Sequence, residues 1–136
     1  MKIKTLIKTY FPIFVWPAVV LIIHQTSTVV GLYDKFRWLD TPFHFIGGMA
    51  IATSAFYIFE YLENKNEFKT IRIVKILLAV ALTALAAVMW EQIEFASDTL
   101  FNTSFQHGVW DTMKDLTMGL LGATTISLFK NLFIKQ

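Results

Sequence analysis

The sequence predicts an all-α polytopic membrane protein: a four-transmembrane-helix bundle forming one integral membrane domain over residues 1–136, with both termini cytoplasmic. Three observations predict it. Hydrophobic residues make up 55% of the chain and charged residues only 16%, against about 25% charged in an ordinary water-soluble domain, so much of the chain must be solvated by lipid. Four apolar stretches approach the ~20 residues that a helix needs to cross the hydrocarbon core. Basic residues gather on one side of the topology those stretches create. With about 20 residues in each span, the connections are short, and function must be built from the helices and their ends.

The first span is expected at residues 11–30. It follows Lys2, Lys4 and Lys8, as a signal peptide would, but Pro12 and Pro17 interrupt it and no Ala-x-Ala-type cleavage site closes it, so it reads as an uncleaved helix. The second, at 42–62, opens on Pro42, a residue suited to the first helical turn, which leaves Asp40 at the edge of the helix. The third is expected at 74–95 and the fourth at 113–133. All four are too long for strands, and three are rich in Leu, Ala, Phe and Met without sustained alternation.

Four spans put both termini and the loop 63–75 on one side, with Lys2, Lys4, Lys8, Lys65, Lys69, Arg72, Lys75, Lys130 and Lys135. Only Lys35, Arg37 and Lys114 lie opposite. The positive-inside rule makes the richer side cytoplasmic and the expected location the cell inner (plasma) membrane, multi-pass. Loops 31–41 and 96–112 then face outward. No cysteine is present, which excludes a disulfide framework and thiolate metal sites. A net charge of +2 gives no reason to expect a nucleic-acid partner. The lipid bilayer is the expected surrounding, and the sequence does not specify an oligomeric state.

Ionisable residues in or near spans are rare and mark functional sites. Here they collect at the outer helix ends. Asp40 and His44 open the second helix, Glu91, Glu94 and Asp98 close the third, and Asp111 and Asp115 open the fourth. Residues three and four apart share a helix face, so Glu91, Glu94 and Asp98 form one acidic stripe, while Asp111 and Asp115 form a second. The same faces carry small residues deeper in the membrane: Gly48 and Ala52, Ala84 and Ala87, and Gly119 and Gly122. Small residues let helices approach closely in lipid, which turns the carboxylates into the bundle. Crowded carboxylates beside a low-dielectric medium need shared protons or a cation. Carboxylates with imidazole suit a divalent ion such as Zn, Mn, Fe, Mg or Ca.

Simpler roles compete at several positions. Asp111 and Asp40 are also good N-caps, Asp98 also reads as an exposed residue beyond its helix, and His24 and His107 are weaker candidate ligands. Trp16, Trp38, Trp90 and Trp110 fit interfacial anchors. No glycine-rich phosphate loop, H-E-x-x-H pair or G-x-S-x-G elbow occurs. A faint echo relates residues 40–55 to 111–126, pairing Asp40 with Asp111, Gly48 with Gly119 and Ala52 with Ala123. It suggests equivalent ends on the second and fourth helices, as in parallel repeats.

The motifs Asp40-x-x-x-His44-Phe45-x-x-Gly48, Trp90-Glu91-x-x-Glu94-x-x-x-Asp98 and Gly108-x-Trp110-Asp111-Thr112-x-x-Asp115 resemble the YjdF-type family of small bacterial inner-membrane proteins of unknown function. A looser similarity, through Tyr33-Asp34-Lys35 and the following His44, points to VanZ-like membrane proteins, although there the His lies closer to the Asp-Lys pair. Three uses of the expected site follow. The first is an outward-facing metal site for hydrolysis of a lipid-linked or periplasmic substrate. The others are a proton- or cation-coupled transport component, and a non-catalytic structural or interaction role.

Overall fold

Backbone amides and carbonyls find no water in hydrocarbon, so a chain of this composition folds into helices that satisfy them internally. The computed structural model describes residues 3–133, with side-chain surroundings from 11 to 130. Its elements are α1 (Ile3–Val29), α2 (Leu32–Lys35), a 3-10 turn (Arg37–Leu39), α3 (Asp40–Asn64), α4 (Arg72–Phe101) and α5 (Val109–Phe133). The placement of Lys2 and Lys135, and the side chains of Lys4 and Lys8, lie outside the described residues.

Three helical stretches, Phe11–Val29, Arg37–Asn64 and Arg72–Phe101, are long and apolar enough to cross a membrane. The fourth long helix, α5, carries Asp111, Lys114 and Asp115 in its first turns. The helices run past the apolar windows. α3 starts at Asp40 rather than 42, α4 continues to Phe101 rather than stopping at 95, and α5 starts at Val109 rather than 113. Polar end residues lower local hydropathy without opposing helix formation, so hydropathy marks the membrane core and misses the ends. Pro12 and Pro17 lie inside α1.

α3 is the hub: it packs against α1, α4 and most extensively α5. α3 and α5 run parallel, since Asp115 lies near Asp40 and His44 at one end while the Lys130 ammonium lies 4.7 Å above the Tyr57 ring at the other. Glycine permits their close crossing. A Cβ on Gly48 would collide with the Gly119 carbonyl, and one on Gly122 would collide with the Phe45 carbonyl. Below this crossing, Ala52, Ala55, Phe59, Ala79 and Ala123 form the core. At the end remote from the carboxylates, Lys75 Nζ lies 2.6 Å from Glu63 Oε1 and ties the start of α4 to the end of α3.

The distribution of polarity is inverted relative to a water-soluble bundle. Leu77, Leu85 and Phe14 are 61%, 59% and 67% exposed, whereas Thr83, Ser127 and Asp115 are 1%, 0% and 2% exposed. Such a surface would associate in water, and in hydrocarbon it is the stable arrangement. The buried hydroxyls of Ser54 and Thr83 donate to Ala50 and Ala79 carbonyls of their own helices.

Candidate functional site

The cluster starts with helix spacing. With α3 beginning at Asp40, Asp40 and His44 stack one turn apart, and His44 Nε2 lies 3.5 Å from Asp40 Oδ1. Asp115 enters from α5, one turn before Gly119, at the level where the glycine crossing brings the two helices together. Ligand-type atoms of Asp40, His44 and Asp115 all lie within 4.8 Å of one another. Asp115 is buried, and its Oδ1 accepts no hydrogen bond.

The nearest cation is Lys114. Its Nζ lies 2.6 Å from Asp111 Oδ1 and 3.6 Å from Asp115 Oδ1, so it bonds to Asp111 and stands just beyond hydrogen-bond reach of Asp115. His107 Nδ1 lies 3.5 Å from the second Asp111 oxygen. Asp111 is thus held between two basic side chains at the rim rather than in the three-residue cluster.

The third-helix acids separate into different roles. Glu91 is 6% exposed. Its Oε1 accepts no hydrogen bond, and its Oε2 takes only a long one, 3.5 Å, from Gln106 Nε2. It follows Ala87 by one turn, and Ala87 Cβ lies 3.8 Å from a Cβ built on Gly119, which puts Glu91 on the side of its helix that meets α5. Glu94 Oε1 accepts from Trp90 Nε1 at 2.7 Å. Asp98 faces the following loop, where it accepts from Thr103 Oγ1 and from the Phe105 and Gln106 amides at 2.7, 2.8 and 2.9 Å. That loop leaves α4 through Asn102, in the left-handed region at φ 54. The loop amides reached by Asp98 are remote from it in sequence, so helix spacing alone gave no sign of them.

His24 belongs to an aromatic box beside the cluster. Its Nδ1 lies 2.6 Å from Tyr33 Oη, and its ring meets Phe43 and Trp90 edge to face at 5.8 and 5.2 Å. Burial, reinforced by the charges of Asp40 and Glu94, pushes the Tyr33 phenol above its ordinary range, so it stays protonated in its hydrogen bond with His24 Nδ1. Tyr33 was not singled out as a site residue from the sequence, because its partner lies across a turn. The resulting site has two carboxylates and an imidazole facing one another, a nearby glutamate with a bare oxygen, and an aromatic wall on one side.

Over residues 4–136 the chain matches the family described as "Predicted membrane protein (DUF2238)". It belongs to that family. Membership agrees with the inverted polarity of the bundle and with a multi-pass membrane location. An "Uncharacterized protein" of Thermotoga maritima is 32% identical over 101 residues, covering 72% of this chain and 50% of the relative. The chain therefore spans about half the length of that curated relative. No solved structure matches the chain.

Proposed function

We propose that this protein crosses the inner membrane four times with both termini cytoplasmic, binds a divalent cation at an outward-facing site formed by Asp40, His44 and Asp115, and uses that ion to hydrolyse a lipid-linked or periplasmic ester or phosphate. One observation carries the reading: Asp115 is 2% exposed, its Oδ1 accepts no hydrogen bond, and one of its carboxylate oxygens lies within 4.8 Å of ligand-type atoms of Asp40 and His44. A buried carboxylate whose nearest ammonium stands at 3.6 Å, beyond hydrogen-bond reach, is incompletely compensated. Two carboxylates and an imidazole form a donor set suited to a hard or borderline divalent ion.

The remaining residues divide the work. Lys114 and Asp111 close the rim as an ion pair. Glu91, buried with a bare oxygen on the side of α4 that meets α5, is the general base that would take a proton from an attacking water polarised by the ion. Glu94 and Trp90 form part of the wall. A transmembrane relay is less well supported, because Ser54, Thr83 and Thr124 spend their hydroxyls on carbonyls of their own helices.

The test is metal analysis of detergent-purified protein after loading with Zn, Mn or Mg and removal of free ion. We expect stoichiometric ion in the wild type and in Asp98→Asn, and its loss in Asp115→Asn and His44→Ala. No stoichiometric ion, or full retention in a folded Asp115→Asn, rejects the site. Chelator-sensitive turnover of chromogenic phosphate or carboxylate esters is expected, and absence of turnover with every ion would reduce the site to a structural one.

A further inference from the structure

Beside the carboxylate cluster lies a cavity of about 270 Å³, walled by α1, α3 and α4 and floored in part by Gly119 of α5. Its lining spans His24 to Pro17 on α1, His44 to Ile51 on α3 and Trp90 to Thr83 on α4. Each stretch covers two turns, so the cavity is about 10 Å long at ~1.5 Å per residue. Both imidazoles and the indole sit at one end. Beyond them the walls are apolar, including Val20, Gly47, Ile51 and Ala86. The Thr83 hydroxyl is already bonded to Ala79 and offers the interior no free proton.

Among the described residues, α1 packs on α3, and α4 packs on α5 and α3, while α1 and α4 meet through the His24 and Trp90 rings at the outer end of the cavity. Below those rings the cavity opens sideways between the two helices, and Leu21 of its lining is 46% exposed. In a bilayer, such an opening faces acyl chains rather than water. An apolar slot of this kind holds no water of its own, and a ligand site of this composition takes an apolar body with a polar group at one end. His44 belongs both to the cavity and to the cluster with Asp40 and Asp115. A chain lying in the slot thus brings its head to the carboxylates.

We infer that the slot between α1 and α4 is a lateral binding groove for one bilayer lipid, its aliphatic chain against Val20, Ile51 and Ala86 and its polar head at Asp40, His44 and Asp115. The head position rests on the cation reading proposed above; the tail position rests on the cavity alone. The groove gives the proposed hydrolase its substrate class, a membrane lipid entering from within the leaflet rather than a soluble ester.

The experiment uses the full chain in vesicles of phosphatidylcholine and phosphatidylglycerol, doped with phosphatidylglycerol bearing a diazirine at the end of one acyl chain. After illumination, adducts are mapped by mass spectrometry. Labelling is expected to be several-fold higher at Ile51, Ala86 and Val20 than at the outward-facing Leu77 and Leu85. Ala86→Trp, and Val20→Trp from the opposite wall, should each cut labelling at Ile51 several-fold, whereas Leu85→Trp should leave it unchanged. Even labelling of groove and outer faces, or undiminished Ile51 labelling in whichever tryptophan variant retains the native melting profile, overturns the groove. Asp115→Asn separates the two readings, because it should retain tail labelling while losing the ion. Tail labelling in a chain that never binds an ion leaves the groove standing and removes the head-group assignment.

Discussion

Gly48→Ala is expected to damage both the bundle and the proposed cation site, while Gly119→Ala, across the crossing, is not. A Cβ on Gly48 would meet the Gly119 carbonyl oxygen, with the carbonyl carbon at 2.8 Å and the Cα at 3.0 Å. These are backbone atoms on a packed helix, so no rotamer change relieves them, and α3 and α5 must separate. Overpacking of this kind costs about 1–3 kcal/mol, offset in part by the ~0.5–1 kcal/mol that alanine gains over glycine within a helix. A Cβ on Gly119 has its nearest neighbours, Ala87 Cβ and the His44 carbonyl oxygen, at 3.8 Å, and one on Gly47 meets only Val20 Cγ1 at 3.9 Å. Both should melt at or above the wild-type temperature. His44 and Asp115 lie one turn, about 5.4 Å, before Gly48 and Gly119, so separation at the crossing pulls the ligand pair apart. The net cost of up to about 2.5 kcal/mol, at about 1.4 kcal/mol per factor of ten, sets an expected loss of divalent-ion affinity of up to about 60-fold in Gly48→Ala. The assays are thermal unfolding in detergent and ion titration on the same samples. Wild-type behaviour of Gly48→Ala, or equal damage from Gly119→Ala, would refute the argument.

Three further outcomes are expected. Asp98→Ala removes the acceptor for Thr103 and for the Phe105 and Gln106 amides, so those amides should exchange hydrogen faster while ion stoichiometry is unchanged. Lys75→Met leaves Glu63 without the ammonium that lies 2.6 Å from it and should destabilise the bundle by up to about 3 kcal/mol; the double variant with Glu63→Gln should recover most of the loss, because no unpaired charge remains. Tyr33 is raised above its ordinary value of 10.0, mainly by burial. The unfolded chain then releases its phenolic proton first, so this group's contribution is intact below pH 10 and is lost as pH climbs beyond it. Tyr33→Phe should flatten that alkaline decline in melting temperature.

Much of the site's assembly follows from spacing. His44 precedes Gly48, and Asp115 precedes Gly119, by the same single turn. A carboxylate or imidazole one turn from a close-approach glycine is aimed at the partner helix, and the sequence echo that pairs Gly48 with Gly119 coincides with the contact between them. The acidic stripe on α4 behaves differently. Glu91, Glu94 and Asp98 share a helical period, yet Glu91 lies on the side that meets α5, Glu94 is bonded to Trp90, and Asp98 turns to a loop. Glu94 takes a partner one turn back on its own helix, which spacing allows, whereas Asp98 and Glu91 take partners from the loop beyond it, about which periodicity carries no information. The ends of α3, α4 and α5 were similarly hidden, because the residues that start or extend them are polar and leave no hydropathic trace.

The parallel run of α3 and α5 has a consequence for synthesis. Two helices pointing the same way must be joined by a full return crossing, here α4, so Asp40 and His44 enter the membrane well before the strand of sequence that supplies Asp115. A nascent chain halted after α4 holds two of the three cluster residues and an uncovered Gly48 face in the lipid. The three groups first meet only when the last helix docks.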